Sequence, residues 1–295
     1  CFFFISQPVL WSYSLTFKAI DCMRFQVTLL IALMAYNSTS FAANNLKELR
    51  IANQLKDHIV IGSVEWLALE NNKFMALFAE TETDSQKAVI LVHGMGAHPN
   101  WPNVIEPLRT KLPIYGWSTL SIQSPVLSSK ATFNDYLETL EETRARIDKS
   151  IEFLEELKVK DIILIGHSFG AYAIMDYVAN TEAEPALINE KPRIHGLIAI
   201  SLTGQKKPSG FNPLDTIEKV TLPVLEIYGG SDFADVKDTL RAKRLAAIRA
   251  GNKNYRQSKV SDANHYYSNS GGTLIKKARG WMKKIITAAN KQPTQ

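Results

Sequence analysis

The chain has 295 residues, of which 45% are hydrophobic, and its 34 Lys and Arg residues against 29 Asp and Glu residues give a formal net charge of +5. This length and hydrophobic content suffice for one large domain with a single core. Because the basic residues form no long block, the sequence does not indicate nucleic-acid binding.

The first 42 residues are expected not to belong to the mature protein. Residues 1–22 are interpreted as an upstream segment translated in error. From Met23 onward, Arg24 is followed by the apolar run VTLLIALMAY and the polar segment NSTSFAANN, the pattern of a secretory signal peptide cleaved after Ala42. The apolar run is much shorter than the roughly 20 residues that span a bilayer. We therefore expect a periplasmic or secreted domain over residues 43–295.

Both cysteines, Cys1 and Cys22, precede Met23. The mature chain would then contain no disulfide, no thiolate nucleophile and no cysteine-ligated metal. An oxidising compartment stays compatible with this composition, because a domain of this size does not need disulfides to be stable.

Strands and helices alternate along the mature chain, which predicts an α/β fold with a mostly parallel central sheet covered by helices on both faces. An N-terminal hairpin precedes this alternation. The predicted elements are a helix over 45–56, the hairpin over 63–80 turning at Asn71 and Asn72, a strand over 88–94, a helix over 102–112, a strand over 117–125, an amphipathic helix over 132–158, a strand over 161–166, a helix after Ser168, strands over 195–202 and 222–230, a helix over 235–250, a strand over 255–261 and a helix over 272–289.

The segment IILIGHSFGAY, residues 162–172, places a serine between a predicted strand and a predicted helix. Gly166 and Gly170 lie two residues before and after Ser168, which leaves room for a turn too sharp for ordinary side chains. This is the G-x-S-x-G arrangement of a serine on a strand-to-helix turn. We therefore predict that Ser168 is a catalytic nucleophile.

A serine nucleophile needs a base to remove its proton and an acid to orient that base. In α/β-hydrolase folds these residues follow in the chain order Ser, Asp or Glu, His. The segment EIYGGSD places Asp232 just beyond the carboxyl end of a predicted strand, where ligands of open α/β sheets bind. Asp232 is the predicted acid. Asp235, which suits a helix N-cap, and Asp215 on the preceding loop are the alternatives.

The predicted base is His265, in the polar loop SDANHYY between the last strand and the last helix. Only His195 also follows the serine, and it begins an apolar strand at the end of the sheet opposite the expected site. A solvated loop histidine is the other interpretation of His265, but its place in the chain order favours a catalytic role.

The oxyanion of an acyl-transfer intermediate needs hydrogen-bond donors, each of which contributes roughly 3 to 4 kcal/mol in a well-formed site. The predicted donors are the backbone N–H groups of Phe169, which follows the nucleophile, and of Met95, in the turn HGMGAH after an earlier strand. His93 in this turn is expected to brace the loop rather than to act as a base.

No cofactor and no metal are predicted. A glycine-rich turn could hold a phosphate group, but the turns here match neither of the phosphate-binding patterns G-x-x-x-x-G-K-[ST] and G-x-G-x-x-G. A metal site built on His93, His98 and a carboxylate lacks H-E-x-x-H or a similar spacing.

The chain resembles the α/β-hydrolase superfamily over residues 59–289. The segments SVEWLAL, LVHGMGAHPNWPNVIEPLR, GWSTLSIQSP and GHSFGAY are similar to an uncharacterised family of proteobacterial envelope-directed α/β-hydrolases. The resemblance implies the fold and the three catalytic positions, and it implies no particular substrate.

About 20 residues separate Leu202 from Leu222, too few for a large cap, so an open site is expected. The side chains that could form its walls equally suit a core; they are Met95, His98, Trp101, Phe169, Tyr172, Phe211, Tyr266 and Tyr267. Lys206 and Lys207 could favour an anionic substrate. The predicted function is an exported serine hydrolase that cleaves small-molecule or lipid-like esters. Acyl transfer, thioester or peptide hydrolysis, and a non-catalytic envelope binding protein are the alternatives.

Overall fold

The protein is described by a computed structural model that covers residues 45–181, 193–206 and 210–289. The predicted upstream segment and signal peptide, both cysteines and Lys207 lie outside these residues. Across the described ranges, no helix is long and apolar enough to cross a membrane.

Eight strands form one sheet in the order β1-β2-β4-β3-β5-β6-β7-β8. The hairpin of β1 and β2 is antiparallel, β2 is antiparallel to β4, and all other neighbours are parallel. This confirms the predicted mostly parallel sheet with an N-terminal hairpin. The strands are β1 (Ser63–Ala68), β2 (Lys73–Ala79), β3 (Lys87–Val92), β4 (Ser118–Ile122), β5 (Asp161–His167), β6 (Arg193–Ile200), β7 (Val224–Ser231) and β8 (Tyr255–Asn264).

Helices cover both faces of this sheet. They are α1 (Asn45–Leu55), α2 (Ile105–Lys111), α3 (Phe133–Leu137), α4 (Leu140–Glu156), α5 (Phe169–Thr181), α6 (Pro213–Ile217), α7 (Ala234–Lys237), α8 (Leu240–Arg249) and α9 (Gly271–Ala289), with 3-10 turns at Lys56–His58 and Pro113–Tyr115. Between β6 and β7 the described residues contain only the short helix α6, and they form no large cap.

Two helices that the sequence predicts as continuous are each divided in two, at Thr139 and at Thr239. The Thr139 hydroxyl donates to the carbonyl of Tyr136 at 2.7 Å, and the Thr239 hydroxyl donates to the carbonyl of Asp235 at 2.6 Å. Threonine hydroxyls that bond back to the preceding turn compete with the helical N–H and bend helices. The predicted helices 132–158 and 235–250 are each a short helix followed by a longer one, with one of these threonines at each break.

The core lies on both faces of β5. Ile162 and Leu164 pack with α4 and α5 on one face, and Ile163 and Ile165 pack with α2 and α9 on the other. Such two-faced burial is what a continuous run of branched apolar residues predicts for a central parallel strand. Packing on both faces therefore holds the end of β5 in place, together with the turn that follows it.

Candidate active site

Ser168 occupies the turn between β5 and α5, with a backbone φ of 55°. The left-handed region is uncommon for a residue with a β-carbon and is typical of strained functional turns. The flanking glycines allow close packing, since a β-carbon on Gly166 would lie 2.2 Å from the Gly170 carbonyl oxygen and one on Gly170 would lie 2.2 Å from the Val92 carbonyl oxygen. Any larger residue at either position would push α5 off the sheet.

The structure brings the three predicted site residues together from distant parts of the chain. The His265 Nε2 atom lies 3.0 Å from the Ser168 hydroxyl oxygen, and the His265 Nδ1 atom lies 2.7 Å from Asp232 Oδ1. Because a carboxylate only accepts hydrogen bonds, Nδ1 carries the ring proton and Nε2 presents its lone pair to the serine hydroxyl.

Asp232 is buried and accepts four hydrogen bonds. Besides His265, its donors are the Ser201 hydroxyl at 2.5 Å, the Gly229 N–H at 3.0 Å and the Phe233 N–H at 2.9 Å. Burial alone would raise the pKa of the Asp232 carboxyl, but the hydrogen bonds from His265, Ser201 and Gly229 outweigh it, and the pKa lies below its usual value. The carboxylate is therefore ionised at neutral pH.

Ser201 is a site residue that sequence reasoning missed. It follows β6 with a backbone φ of 55°, like Ser168 after β5, and its N–H donates to the Ile227 carbonyl at 2.8 Å. This conformation directs its hydroxyl at Asp232 Oδ2. The only signal in the sequence is a serine at the end of an apolar strand, IAIS, which is too common to assign.

His167, the second residue of the GHSFG motif, supports the loop that carries the predicted base. Its Nε2 atom donates to the His265 backbone carbonyl at 2.9 Å. The imidazole is buried, and burial lowers its pKa to about 4. His167 is therefore neutral at pH 7 and fixes the main chain of His265 without adding a charge beside it.

An exposed aromatic ring covers the predicted base. The Phe233 ring stacks on the His265 imidazole with a centroid distance of 4.1 Å and an interplanar angle of 15°, and the Tyr266 ring meets the imidazole edge-on at 5.3 Å. Phe233 and Tyr266 are 50% and 46% exposed, so both rings face the solvent at the mouth of the site. Tyr266 is one of the predicted wall residues, whereas the contact of Phe233 with His265 was not predicted.

The HGMG turn lies directly against the predicted nucleophile. A β-carbon built on Gly94 would be 3.1 Å from the Ser168 β-carbon. Within the part of the chain that the structure describes, the backbone N–H groups of Met95 and Phe169 have no acceptor. Two unpaired donors therefore flank the serine, as an oxyanion site requires.

His93 orients one of these donors. Its Nδ1 atom donates to the Gly94 carbonyl at 2.8 Å, and its Nε2 atom accepts from the Ser124 N–H at 3.0 Å. The Gly94 carbonyl and the Met95 N–H belong to one planar peptide group, so fixing the carbonyl also fixes the N–H on its opposite side. Burial lowers the pKa of His93 to about 3, which keeps the ring neutral. This geometry agrees with the predicted bracing role.

Tyr136 fixes the next peptide group of the same turn. Its hydroxyl oxygen accepts hydrogen bonds from the Gly96 N–H at 3.0 Å and from the Leu127 N–H at 3.1 Å. Its ring packs on that of Phe169, with centroids 5.3 Å apart. The break between α3 and α4 lies three residues after Tyr136, so the short helix α3 sets the position of this side chain.

Replacing His93 with alanine is expected to lower kcat for an ester substrate by on the order of 10- to 100-fold with little change in KM, because the Met95 N–H loses its fixed direction. Steady-state kinetics with a p-nitrophenyl ester would measure it. His98→Ala is the matched control in the same loop, since the Nδ1 atom of His98 accepts only from the Asn100 N–H. Equal losses in both variants would contradict an orienting role for His93.

The two buried imidazoles predict that stability decreases in mild acid. The unfolded state binds their protons near pH 6.5, whereas folded His167 and His93 bind them only near pH 4 and pH 3. Their contribution to the free energy of unfolding is therefore complete above pH 6.5, and it falls by a few kcal/mol as the pH drops towards 4. Urea denaturation at pH 7.0, 5.5 and 4.5 measures this slope. His167→Gln should reduce it, and a pH-independent stability of the wild type would contradict the prediction.

The alternative residues for the acid and the base form other hydrogen bonds, away from the Ser168 hydroxyl and the His265 ring. His195 bonds Asp161 at 2.6 Å at the opposite end of β5 and β6. The N-cap assignment of Asp235 is wrong: Phe233 precedes α7 and Asp235 lies in its first turn, where it accepts from the Thr203 hydroxyl at 2.8 Å. Asp215 lies in the first turn of α6 and bonds Asn212.

The described residues contain no group of three His, Cys, Asp or Glu side chains that could hold a metal ion.

The predicted wall residues differ in exposure. Phe169, Tyr172 and Tyr267 are buried, whereas Met95 is 40% exposed.

Comparisons with solved structures identify similar folds. Est1E from Butyrivibrio proteoclasticus is 18% identical with a TM-score of 0.56, over 76% of this chain and 99% of that one. An esterase of Pyrococcus furiosus, Pf2001, is 17% identical with a TM-score of 0.59, over 76% and 90%. A thioesterase domain from the curacin biosynthetic pathway is 12% identical with a TM-score of 0.51, over 73% and 98%. At these identities the likeness concerns the fold.

No curated protein matches the chain significantly. A family model described as a protein of unknown function, DUF3530, matches residues 37–138 and 128–284, which together cover most of the sequence. Its fold is similar to that of these matched hydrolases, and the chain belongs to the DUF3530 family.

Proposed function

We propose that the protein is an exported serine hydrolase that cleaves carboxylic esters through an acyl-enzyme on Ser168. One observation carries the proposal: Ser168, His265 and Asp232 are hydrogen-bonded in series beside two unpaired backbone N–H groups. A structural role for this serine would require neither a histidine at its hydroxyl nor free donors next to it.

In the first half of the reaction, His265 Nε2 takes the hydroxyl proton while Ser168 Oγ bonds to the ester carbonyl carbon. The carbonyl oxygen becomes an oxyanion that accepts from the N–H groups of Met95 and Phe169. Asp232 stabilises the imidazolium and keeps its Nδ1 proton in place. When the intermediate collapses, the carbon–oxygen bond to the leaving group breaks and His265 gives the proton to the departing alkoxide, which leaves as an alcohol.

In the second half, His265 takes a proton from water while the water oxygen bonds to the acyl carbon. The Ser168 Oγ–acyl bond then breaks, and the proton returns to the serine oxygen. The sum is one ester and one water converted to one carboxylic acid and one alcohol. No cofactor enters this balance.

Similar proteins support an ester substrate. The matched protein Pf2001 is described as an esterase, and one structure of Est1E contains bound ferulic acid. The described residues form no large cap, so a substrate would approach Ser168 past the exposed Phe233 and Tyr266 rings. Acyl transfer or cleavage of a thioester or amide would use the same three side chains.

A fluorophosphonate probe tests the proposal, because it reacts only with an activated serine. The wild type is expected to be labelled once per chain, Ser168→Ala not at all, and Ser63→Ala, which changes an exposed serine of β1, like the wild type. No labelling of folded wild type would overturn the enzyme and favour a non-catalytic binding protein. Hydrolysis of p-nitrophenyl esters of increasing acyl length would then define the acyl specificity.

Export is a separate part of the proposal, supported by the signal-peptide pattern after Met23. Amino-terminal sequencing of the protein recovered from the periplasm or the medium is expected to begin at Ala43. Persistence of residues before Ala43 would contradict the predicted cleavage.

A further inference from the structure

The charged residues divide unevenly along the chain. Between residues 45 and 181 there are 13 Lys and Arg against 18 Asp and Glu, whereas between residues 193 and 289 there are 17 against 7. The positive charge of the molecule therefore comes from its carboxyl-terminal part, even though no long basic block occurs in the sequence. Such asymmetry is typical of a protein that contacts an anionic partner.

The fold gathers part of this charge around one groove. A cavity of about 730 Å³ lies between β8 and α9, and its walls contain no Asp or Glu. Four of its lining residues are cationic: Arg256 from β8, and Lys276, Lys277 and Lys284 from α9. We refer to these four residues as the basic groove.

These four cations have no carboxylate partner among the described residues. Arg256 donates only to the carbonyls of Lys253 and Tyr255, and Lys277 donates to the Ser258 hydroxyl at 2.9 Å. Arg256, Lys276 and Lys284 are exposed. The basic groove therefore concentrates positive charge that no carboxylate of the described residues neutralises through an ion pair.

The groove also has an apolar side. Leu225, Trp281 and Ile285 line it together with the lysine stems. A ligand that combines an anionic group with apolar atoms would satisfy both parts of this lining. The positive surface continues along the 19-residue helix α9, whose charged residues are all basic and include the exposed Lys283. An extended surface of this kind suits an array of anions better than one small anion.

The basic groove is remote from the candidate active site. Leu225 and Arg256 lie near the starts of β7 and β8, whereas Asp232 and His265 follow the ends of the same strands. Nine residues of extended chain separate Arg256 from His265, which corresponds to about 25–30 Å. Binding at the groove would leave the mouth of the site open.

We propose that the basic groove and the adjoining face of α9 bind the headgroups of an anionic phospholipid membrane. The cations contact the lipid phosphates, and the apolar side of the groove contacts the glycerol and the first methylene groups of a lipid. Anionic surfaces attract such clusters within a Debye length, so the binding is sensitive to salt. This inference does not depend on the proposed hydrolase activity.

Cosedimentation with vesicles tests the proposal. The wild type is expected to bind vesicles that contain phosphatidylglycerol and not vesicles of pure phosphatidylcholine. The variant Arg256→Gln/Lys276→Gln/Lys277→Gln/Lys284→Gln should bind about 100-fold more weakly or worse, because each basic residue near an anionic bilayer strengthens binding by about fivefold. Thermal unfolding of the variant would verify its fold.

The matched control removes the same charge elsewhere, with four exposed lysines changed to glutamine at Lys56, Lys111, Lys130 and Lys160. It should bind within about fivefold of the wild type. Three results would overturn the proposal: no preference of the wild type for anionic vesicles, equal losses in both quadruple variants, or displacement from vesicles by millimolar inorganic phosphate at constant ionic strength. The last result would identify a site for a small anion instead.

Discussion

Replacing Ser168 with alanine is expected to lower kcat for ester hydrolysis by about 10⁶-fold, because the variant lacks the oxygen that forms the acyl-enzyme. The His265→Ala variant should lose a similar factor, since the serine hydroxyl would keep its proton. Steady-state kinetics with a p-nitrophenyl ester that the wild type hydrolyses would measure kcat for both variants.

Combining these substitutions tests whether the three side chains act as one unit in catalysis or contribute independently to kcat. In serine hydrolases the losses from single members are not additive. The Ser168→Ala/His265→Ala/Asp232→Ala variant should therefore retain about the same residual activity as Ser168→Ala alone. A substantial activity in folded Ser168→Ala would contradict the proposed nucleophile.

Replacing Lys243 with methionine is expected to destabilise the protein by about 3–5 kcal/mol, because it leaves a carboxylate buried without its counter-charge. Lys243 and Glu226 are both fully buried and form an ion pair between α8 and β7. Glu226 Oε2 also accepts from the Tyr255 hydroxyl at 2.6 Å and from the Gln257 amide at 2.8 Å. Urea denaturation would give the free energy of unfolding.

Two controls accompany this measurement. Lys149→Met removes an exposed partner of Glu152 and should leave the free energy of unfolding close to that of the wild type, because solvent screens this pair. The double variant Lys243→Met/Glu226→Gln removes both charges and should recover part of the loss. A Lys243→Met variant as stable as the wild type would contradict the expected destabilisation by the unpaired carboxylate.

The same lysine connects stability to the candidate site. Its Nζ atom donates to the Leu202 carbonyl at 2.6 Å, one residue after Ser201, whose hydroxyl bonds Asp232. The buried pair thus fixes the main chain beside the carboxylate. Partial loss of activity in Lys243→Met below its unfolding transition would agree with this connection.

The sequence carried enough information to predict the sheet and the three central side chains, because those features depend on local patterns. The apolar run of β5, the small residues around Ser168 and the strand-end positions of Asp232 and His265 are visible in the sequence. Chain order then reduces the choice of base to two histidines.

The remaining features depend on contacts between distant segments. Ser201 and Phe233 contact the site through the register of β6, β7 and β8, which no local pattern specifies. Tyr136 contacts the HGMG turn from the short helix α3, whereas periodicity predicts one continuous helix there. The basic groove combines one residue of β8 with three of α9; the basic character of α9 is visible in the sequence, but the pairing of this helix with β8 is not.

The most direct test of the account is to trap the acyl-enzyme. The protein would be mixed with excess p-nitrophenyl ester, quenched in acid within milliseconds, digested and analysed by mass spectrometry. The account predicts a burst of close to one equivalent of p-nitrophenol and one acyl group on the peptide that contains Ser168. A folded protein that releases p-nitrophenol without acylating Ser168, or that acylates a different residue, would contradict it.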